Sequence, residues 1–563
     1  MKILLTDGGY KNTLAAVRAL SGKGNNVFVV GGKFCLSNLS KYSNQGFNHK
    51  SFGKFGSQIK HDMLDDFCNY LKENKFDLLI PVGGNSVKFV SDNRSEIQRY
   101  VDFVLPEKKK IDLALDKNLS TELCKSLEIN VPREYKFNSI DQVIKNKRII
   151  KFPVVIKSAN ELQKFQTIYC KSYDELIYNL KINEPKRLLR NFNFPIIQQK
   201  VDGPGQGYFG VFKNGKVIVD FMHERVRETP PTGGASSCAK SIYLDDLKEQ
   251  GLKIVSELKW SGPAMIEFKR HNESNKLFFM EINPKLWGSL DLAISSGVNI
   301  PQMIVNVHSN KNIKYAKKAY KLGLKYSWTL NGEIQHLIGK PSSFFSILLD
   351  FLNPKVKKNI INLDVKPTLL SLAMSLKYIL QFFGEKIGIL RFISLSRKIG
   401  IKYTIVRLFT ERSGIPLKKY SFVTKNLYVG QQVKKRGFDR LKKWQISTII
   451  NLRAEYDYSQ NLYHNISYKY FPVVEFQAIP MDLLINGVEQ IERNIDLNKK
   501  VYIHCKEGVS RAPTLAIAYL IKKGMSLDDA LNLIRYQRPF INILSNQIKV
   551  LKEFEKNLKI VND

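Results

Sequence analysis

Residues 501–520 read VYIHCKEGVSRAPTLAIAYL. The apolar run Val501–Ile503 is a strand that delivers His504 and Cys505, and an apolar helix opens at Arg511. Five residues lie between Cys505 and Arg511, Gly508 and Ser510 among them. A loop of this length can wrap a phosphate so that successive backbone N–H groups point inward. Gly508 gives that backbone its freedom, and Arg511 can hold two phosphate oxygens in a fork. The helix N-terminus adds positive potential. The same field favours the thiolate of Cys505, the form that attacks phosphorus.

Working outward, residues 420–560 resemble the dual-specificity phosphatases. NLYVGQQVKKRGFDRLKKWQISTIINLRAE before the loop looks like that family's strand–helix opening, and MSLDDALNLIRYQRPFINILSNQIKVLKEF like its closing helices. The resemblance implies Cys505 as nucleophile, Arg511 as phosphate holder, and no cofactor. Where the family has Ser or Thr after the arginine, this chain has Ala512; Arg-Ala-Pro here is similar to plant glucan phosphatases. The family's general acid stands about thirty residues before the cysteine, which falls on Glu475 in YFPVVEFQAIP. Glu475 is the expected proton donor and Asp482 the alternative.

Toward the N-terminus, residues 1–115 alternate strands such as KILLTDGG, NVFVVGG and DLLIPVGG with helix-like stretches, the rhythm of a parallel α/β layer. Residues 116–310 are mixed, ending in GPAMIEFKR and KLFFMEINP, two strands around a polar turn. Residues two apart on a strand share a face. Glu281 and Asn283 therefore point together, and Glu267 can face them from the neighbouring strand. Such hard oxygens suit Mg²⁺ on nucleotide phosphates; taken alone, the set also fits a salt-bridged surface face.

Residues 1–310 resemble the ATP-grasp superfamily in its carboxylate–amine ligase style. The resemblance implies a Rossmann-like N-terminal domain, a mixed α+β nucleotide-binding domain, and ATP with Mg²⁺ (Mn²⁺ as the alternative). Lys117 follows as a phosphate or adenine contact, and Lys157, ending FPVVIK, as the phosphate lysine. Gln198, Gln199, Lys200 and Val201 would form the adenine hinge, with Gln206 on the ribose. Arg225, Arg227 and the Gly233-Gly234 turn come to the substrate side. Glu267, Glu281 and Asn283 match the metal trio, and Lys285 the residue that meets the acyl phosphate. After Lys157 the superfamily places a glycine-rich loop, whereas this chain has SANELQKF.

The expected organisation is an α/β multidomain chain: 1–115, 116–310, a mainly helical link 311–415, and a phosphatase-like α/β domain 416–563. At 563 residues the chain is too long for one core. Its net charge of +37 attracts anions, though no arginine-rich cluster with aromatics points to specific nucleic acid. Six scattered cysteines fit a reducing, cytoplasmic setting without disulfides. The apolar run Thr368–Phe383, holding Lys377 and followed by basic residues, reads either as core or as a helix on an anionic membrane.

The leading functional reading is a ligase fused to a phosphatase, taking small carboxylates and amines at one head and a phosphorylated metabolite, glycan or protein at the other. The competing readings are a phosphatase with a non-catalytic nucleotide sensor, which the missing glycines favour, and a basic membrane- or polymer-binding adaptor.

Overall fold

The computed structural model describes the chain except residues 49–60, 161, 163–166, 190–192, 311–314, 316–319, 361–363, 388, 455, 458–465 and 563. Two compact units emerge: Met1–Ile177 with Asn191–Ile379, and Tyr178–Arg190 with Leu380–Asp563.

The first unit opens with a parallel sheet in the order Asn44–Gln45, Asn26–Val29, Lys2–Leu5, Leu78–Ile80, Asp102–Phe103. Its central strands are continuous apolar runs because helices cover both faces of such a sheet; Ile3, Leu4 and Leu5 are fully buried. A four-stranded antiparallel sheet follows, in the order Glu134–Tyr135, Ile196–Gln199, Val154–Lys157, Ile168–Cys170. The third sheet has seven strands: Leu277–Asn283, Gly262–Arg270, Gly205–Lys213, Lys216–Thr229, Ala235–Ile242, Lys325–Ser327 and Lys357–Lys358. Helix Asp245–Glu257 packs on it through Leu247, Ile254 and Val255, which bury against Tyr208 and Phe268.

The stretch 311–415 is mainly helical among its described residues, and it is divided between the two units. Lys325–Ser327 and Lys357–Lys358 extend the seven-stranded sheet, while helices Ile389–Ile399 and Ile401–Ser413 fall in the second unit. Strands of three and two residues are too short to show a period-two pattern in the sequence.

The second unit holds a sheet ordered Phe422–Thr424, Leu427–Gln431, Lys500–Cys505, Ile446–Arg453, Ser467–Val473, whose last four strands are parallel. Alternation sorts its side chains. Val501, Ile503 and Ile450 pack under helices Met481–Asp496, Arg511–Lys522, Leu527–Gln537 and Ser545–Asn562. Tyr502 and Ile449 pack on the opposite face with Phe438 and Leu441 of helix Lys435–Lys443. Lys500–Cys505 lies between two strands that precede it in the chain, so its carboxyl end is a topological switch point, where such sheets bind ligands.

Candidate active sites

In the second unit, Cys505 ends its strand, 3% exposed, and Arg511 is the first residue of the following helix. Gly508 has φ +68°, and a Cβ there would lie 2.4 Å from the Gly430 carbonyl, so only glycine fits this turn. The Arg511 guanidinium donates to the Val473 carbonyl at 2.6 Å and to that of Leu452 at 3.3 Å. These bonds fix its plane at the ends of two neighbouring strands. Ser510 donates to the Gln547 side chain at 2.8 Å; Ala512 is fully buried.

Several braces of this loop come from outside the motif. Arg538 is buried and donates to the carbonyls of Gly508 (2.6 Å), Tyr420 (2.6 Å) and Glu507 (3.2 Å). Burial lowers its pKa to about 10, which leaves it charged at neutral pH. Glu507 accepts from Arg407 at 2.5 Å and from Arg391 at 3.0 Å, and Arg391 also pairs with Glu411. Helices Ile389–Ile399 and Ile401–Ser413 thus clasp the loop from one side. Gln547 accepts from Ser510 and donates to the Gln477 carbonyl at 3.1 Å.

Glu475 sits in the turn after strand Ser467–Val473, its carboxylate 3.6 Å from the ammonium of Lys506, the residue after Cys505. Asp482 lies exposed in the first turn of helix Met481–Asp496. The side chain brought to the loop by an ion pair is therefore Glu475.

The first unit contains a cavity of about 350 Å³ between the four-stranded and seven-stranded sheets. Lys117, Lys157, Gln198, Lys200, Val201, Arg225, Glu267, Glu281, Asn283 and Lys285 all line it. Glu267 and Glu281 are register partners on adjacent strands, as the alternation requires. Arg225 donates to Glu267 at 2.5 Å, Lys117 pairs with Glu281 at 2.7 Å, and Asn283 donates to Glu281 at 2.9 Å. Lys117 holds the Glu281 carboxyl well below the usual carboxylate range despite its burial. Burial pushes Glu267 up, against the pull of Arg225.

Among the described residues no group of three His, Cys, Asp or Glu side chains is placed to hold a metal ion. The donor set here is two carboxylates and an amide. It fits Mg²⁺ whose remaining oxygens come from a polyphosphate, and six basic side chains against three carboxylates in the lining leave room for that polyphosphate's charge. Burial, with Lys117 nearby, lowers the Lys157 pKa to about 7, as expected of a cation waiting for an anion.

Three expected contacts fall elsewhere. Gly205 approaches Arg225 on the cavity side of its strand. Gln206 therefore faces the opposite side, where it donates to Glu224 at 2.8 Å and accepts from Arg270 at 3.1 Å. Arg227 is buried between Glu333 (2.9 Å) and Asp350 (2.6 Å) rather than beside Arg225. The cause is a register shift between Arg225 and Arg227 at Val226, which breaks the period-two alternation. Gln199 is exposed, and its N–H and that of Lys200 are taken by the Arg133 and Pro153 carbonyls. In the SANELQKF segment, Glu161 and residues 163–165 lie outside the described residues.

Two lining residues carry no sequence signal. His223 is buried, and neither ring nitrogen has a partner among the described residues; burial and Arg225 keep it neutral. The Gly233 turn closes against Tyr169, whose hydroxyl would sit 2.1 Å from a Cβ there.

Residues 427–557 match the family described as "Dual specificity phosphatase, catalytic domain". The chain is 30% identical over 144 residues to dual specificity protein phosphatase 18 of Mus musculus, covering 25% of this chain and 76% of that protein. It is 31% identical over 140 residues to the tyrosine-protein phosphatase vhp-1 of Caenorhabditis elegans, covering 24% of this chain and 21% of that protein. The chain thus spans about a fifth of the one relative and three quarters of the other. A biotin carboxylase structure from Campylobacter jejuni is similar to the N-terminal part, with a TM-score of 0.45, 14% identity, and coverage of 57% of this chain and 74% of that one.

Proposed function

Since the chain belongs to the dual-specificity phosphatase family through residues 427–557, we propose that it is a two-headed enzyme: a cysteine-dependent phosphatase joined to an ATP- and Mg²⁺-dependent carboxylate–amine ligase. In the phosphatase head the Cys505 sulfur attacks phosphorus, and the phosphate–oxygen bond of the ester breaks. Glu475 gives its proton to the leaving oxygen, while Arg511 and the loop N–H groups hold the phosphoryl oxygens. Water then attacks the thiophosphate, losing its proton to Glu475, and frees phosphate and the thiolate.

The observation that carries the ligase reading is the trio Glu267, Glu281 and Asn283 on adjacent strands in a cavity whose charged side chains are mostly basic. MgATP, when bound, supplies the phosphoryl group that activates a carboxylate. Lys117 and Lys157 would hold the transferring phosphates, with Lys285 and Arg225 on the substrate side. The test is ADP formation with pools of carboxylates and amines. Amine-dependent ADP release that Glu281→Gln abolishes supports the reading, and calorimetry showing no MgATP binding to the wild type refutes it.

The glycine-free segment after Lys157 favours a second reading, in which nucleotide binding regulates the phosphatase. ATP that changes the phosphatase rate without being cleaved would decide for it. The shared chain and net +37 charge favour an anionic, phosphorylated substrate class common to both heads. No helix among the described residues is long and apolar enough to cross a membrane. The six free cysteines support a reducing, cytoplasmic location.

A further inference from the structure

A helix on a protein surface turns its apolar stripe to the core and its polar side to water. One helix of the first unit, Phe344–Leu352, and the first-unit part of a second, Val365–Ile387, do the reverse. In Phe344–Leu352, Asp350 is buried between Arg227 (2.6 Å) and Lys325 (2.7 Å), while Phe345, Leu349 and Leu352 are 74%, 69% and 68% exposed. In Val365–Ile387 the buried stripe runs through Pro367, Ser371 and Ser375 at helical spacing. Ser375 donates to the Leu330 carbonyl, and Asp364, just ahead of the helix, is held by Arg18 (3.0 Å) and Ser40 (2.6 Å). Leu369, Leu372 and Leu376 are 59%, 43% and 52% exposed. Both helices are anchored on one segment, Thr329–Glu333, through Leu330 and through the Arg227 that Glu333 shares with Asp350.

Over residues 334–379 the exposed charge has one sign. Residues 334–379 contain six lysines and two carboxylates. The carboxylates are Asp350 and Asp364, both consumed in buried ion pairs. Lys340, Lys355, Lys357, Lys366 and Lys377 are exposed. A second copy of the chain would bring the same lysines to the contact and be repelled, whereas an anionic lipid surface satisfies the leucines and the lysines together.

We propose that the outward faces of Phe344–Leu352 and Val365–Ile387 dock the protein on an anionic lipid bilayer, lying in its interface. Met374 of the second helix is both 49% exposed and part of the wall of a cavity of about 400 Å³, with Tyr10, Leu36 and Lys285. Lys285 also lines the nucleotide cavity. Docking would therefore bring this second cavity, which shares Lys285 with the first, to the lipid surface.

The test is cosedimentation of the full chain with sucrose-loaded vesicles of phosphatidylcholine, alone or with roughly a third phosphatidylglycerol, at low salt and at about 0.5 M salt. Partitioning should be at least tenfold stronger on the anionic vesicles and should fall at high salt. The double variant Leu349→Glu/Leu372→Glu changes two exposed positions; it should keep the wild-type circular dichroism melt and lose tenfold or more in partitioning. Equal partitioning on both vesicle types, or unchanged binding by the double variant, overturns the proposal. So does light scattering that finds a wild-type dimer which the variant turns into a monomer, since a second copy would then own the face.

Discussion

The nucleotide binding proposed for the first unit should be coupled to proton uptake at Lys157. Burial and Lys117 put this ammonium's pKa at about 7 in the free protein, against about 10.4 for an unperturbed lysine. Phosphate oxygens beside it favour the charged form and restore the ordinary value. The bound pKa thus exceeds the free one, so binding takes up a proton and weakens as pH rises through the free pKa. With those two values, the charged fraction of free Lys157 falls from about one half at pH 7 to about one hundredth at pH 9. Affinity for a non-hydrolysable ATP analogue should then drop about 50-fold, or about 2.3 kcal/mol, with about 0.9 proton taken up at pH 8. Calorimetry at constant free Mg²⁺, in buffers of different ionisation enthalpy, reads both quantities. Lys157→Arg, charged throughout, should flatten the profile, and Lys157→Met should bind weakly at every pH. A wild-type affinity that is level from pH 7 to 9, or a slope that survives in Lys157→Arg, would refute the reasoning.

Cys505→Ser should cost on the order of 10⁴ or more in the hydrolysis of an aryl phosphate, measured as released phenolate. Glu475→Gln should slow alkyl phosphates, whose leaving oxygen needs a proton, much more than activated aryl esters; equal losses, or a selective loss in Asp482→Asn instead, would move the acid elsewhere. Arg538→Ala removes the donor of two loop carbonyls, Gly508 and Glu507, and of the Tyr420 carbonyl. At about 1–3 kcal/mol for each buried group left unpaired, it should lower the urea midpoint of the phosphatase unit while slowing turnover.

The parts of both sites that the sequence made legible are contiguous or in simple register. Cys505, Gly508 and Arg511 lie within one loop, and Glu267, Glu281 and Asn283 follow from strand alternation. The resemblance put Arg227 beside Arg225 on the substrate side, but the shift at Val226 turns it to the other face of the strand. Gln206, expected on the ribose, shares its strand face with Tyr208, a fully buried core residue, and that face is the one away from the cavity. Arg538, Gln547, Arg391 and Arg407 reach the phosphate loop from segments distant in sequence, and only the chain's tertiary path joins them to it. His223 carries no partner in its own stretch that would mark it. The apolar run after Thr368 was visible, but the sequence does not say which stripe of a helix faces the protein, and here the serines do.

The Gln547 side chain joins three parts of the phosphatase head: the loop at Ser510, the turn at Gln477 that carries the proposed acid Glu475, and the closing helix Ser545–Asn562. The order of the acid turn is thereby made conditional on the docking of that last helix. Heat should separate these events. As the helix loosens, hydrolysis of esters that need a proton should fade several degrees before the sheet melts, while activated esters are still cleaved. An inactivation curve displaced below the unfolding curve, for one class of ester and not the other, would be the thermal signature of that amide.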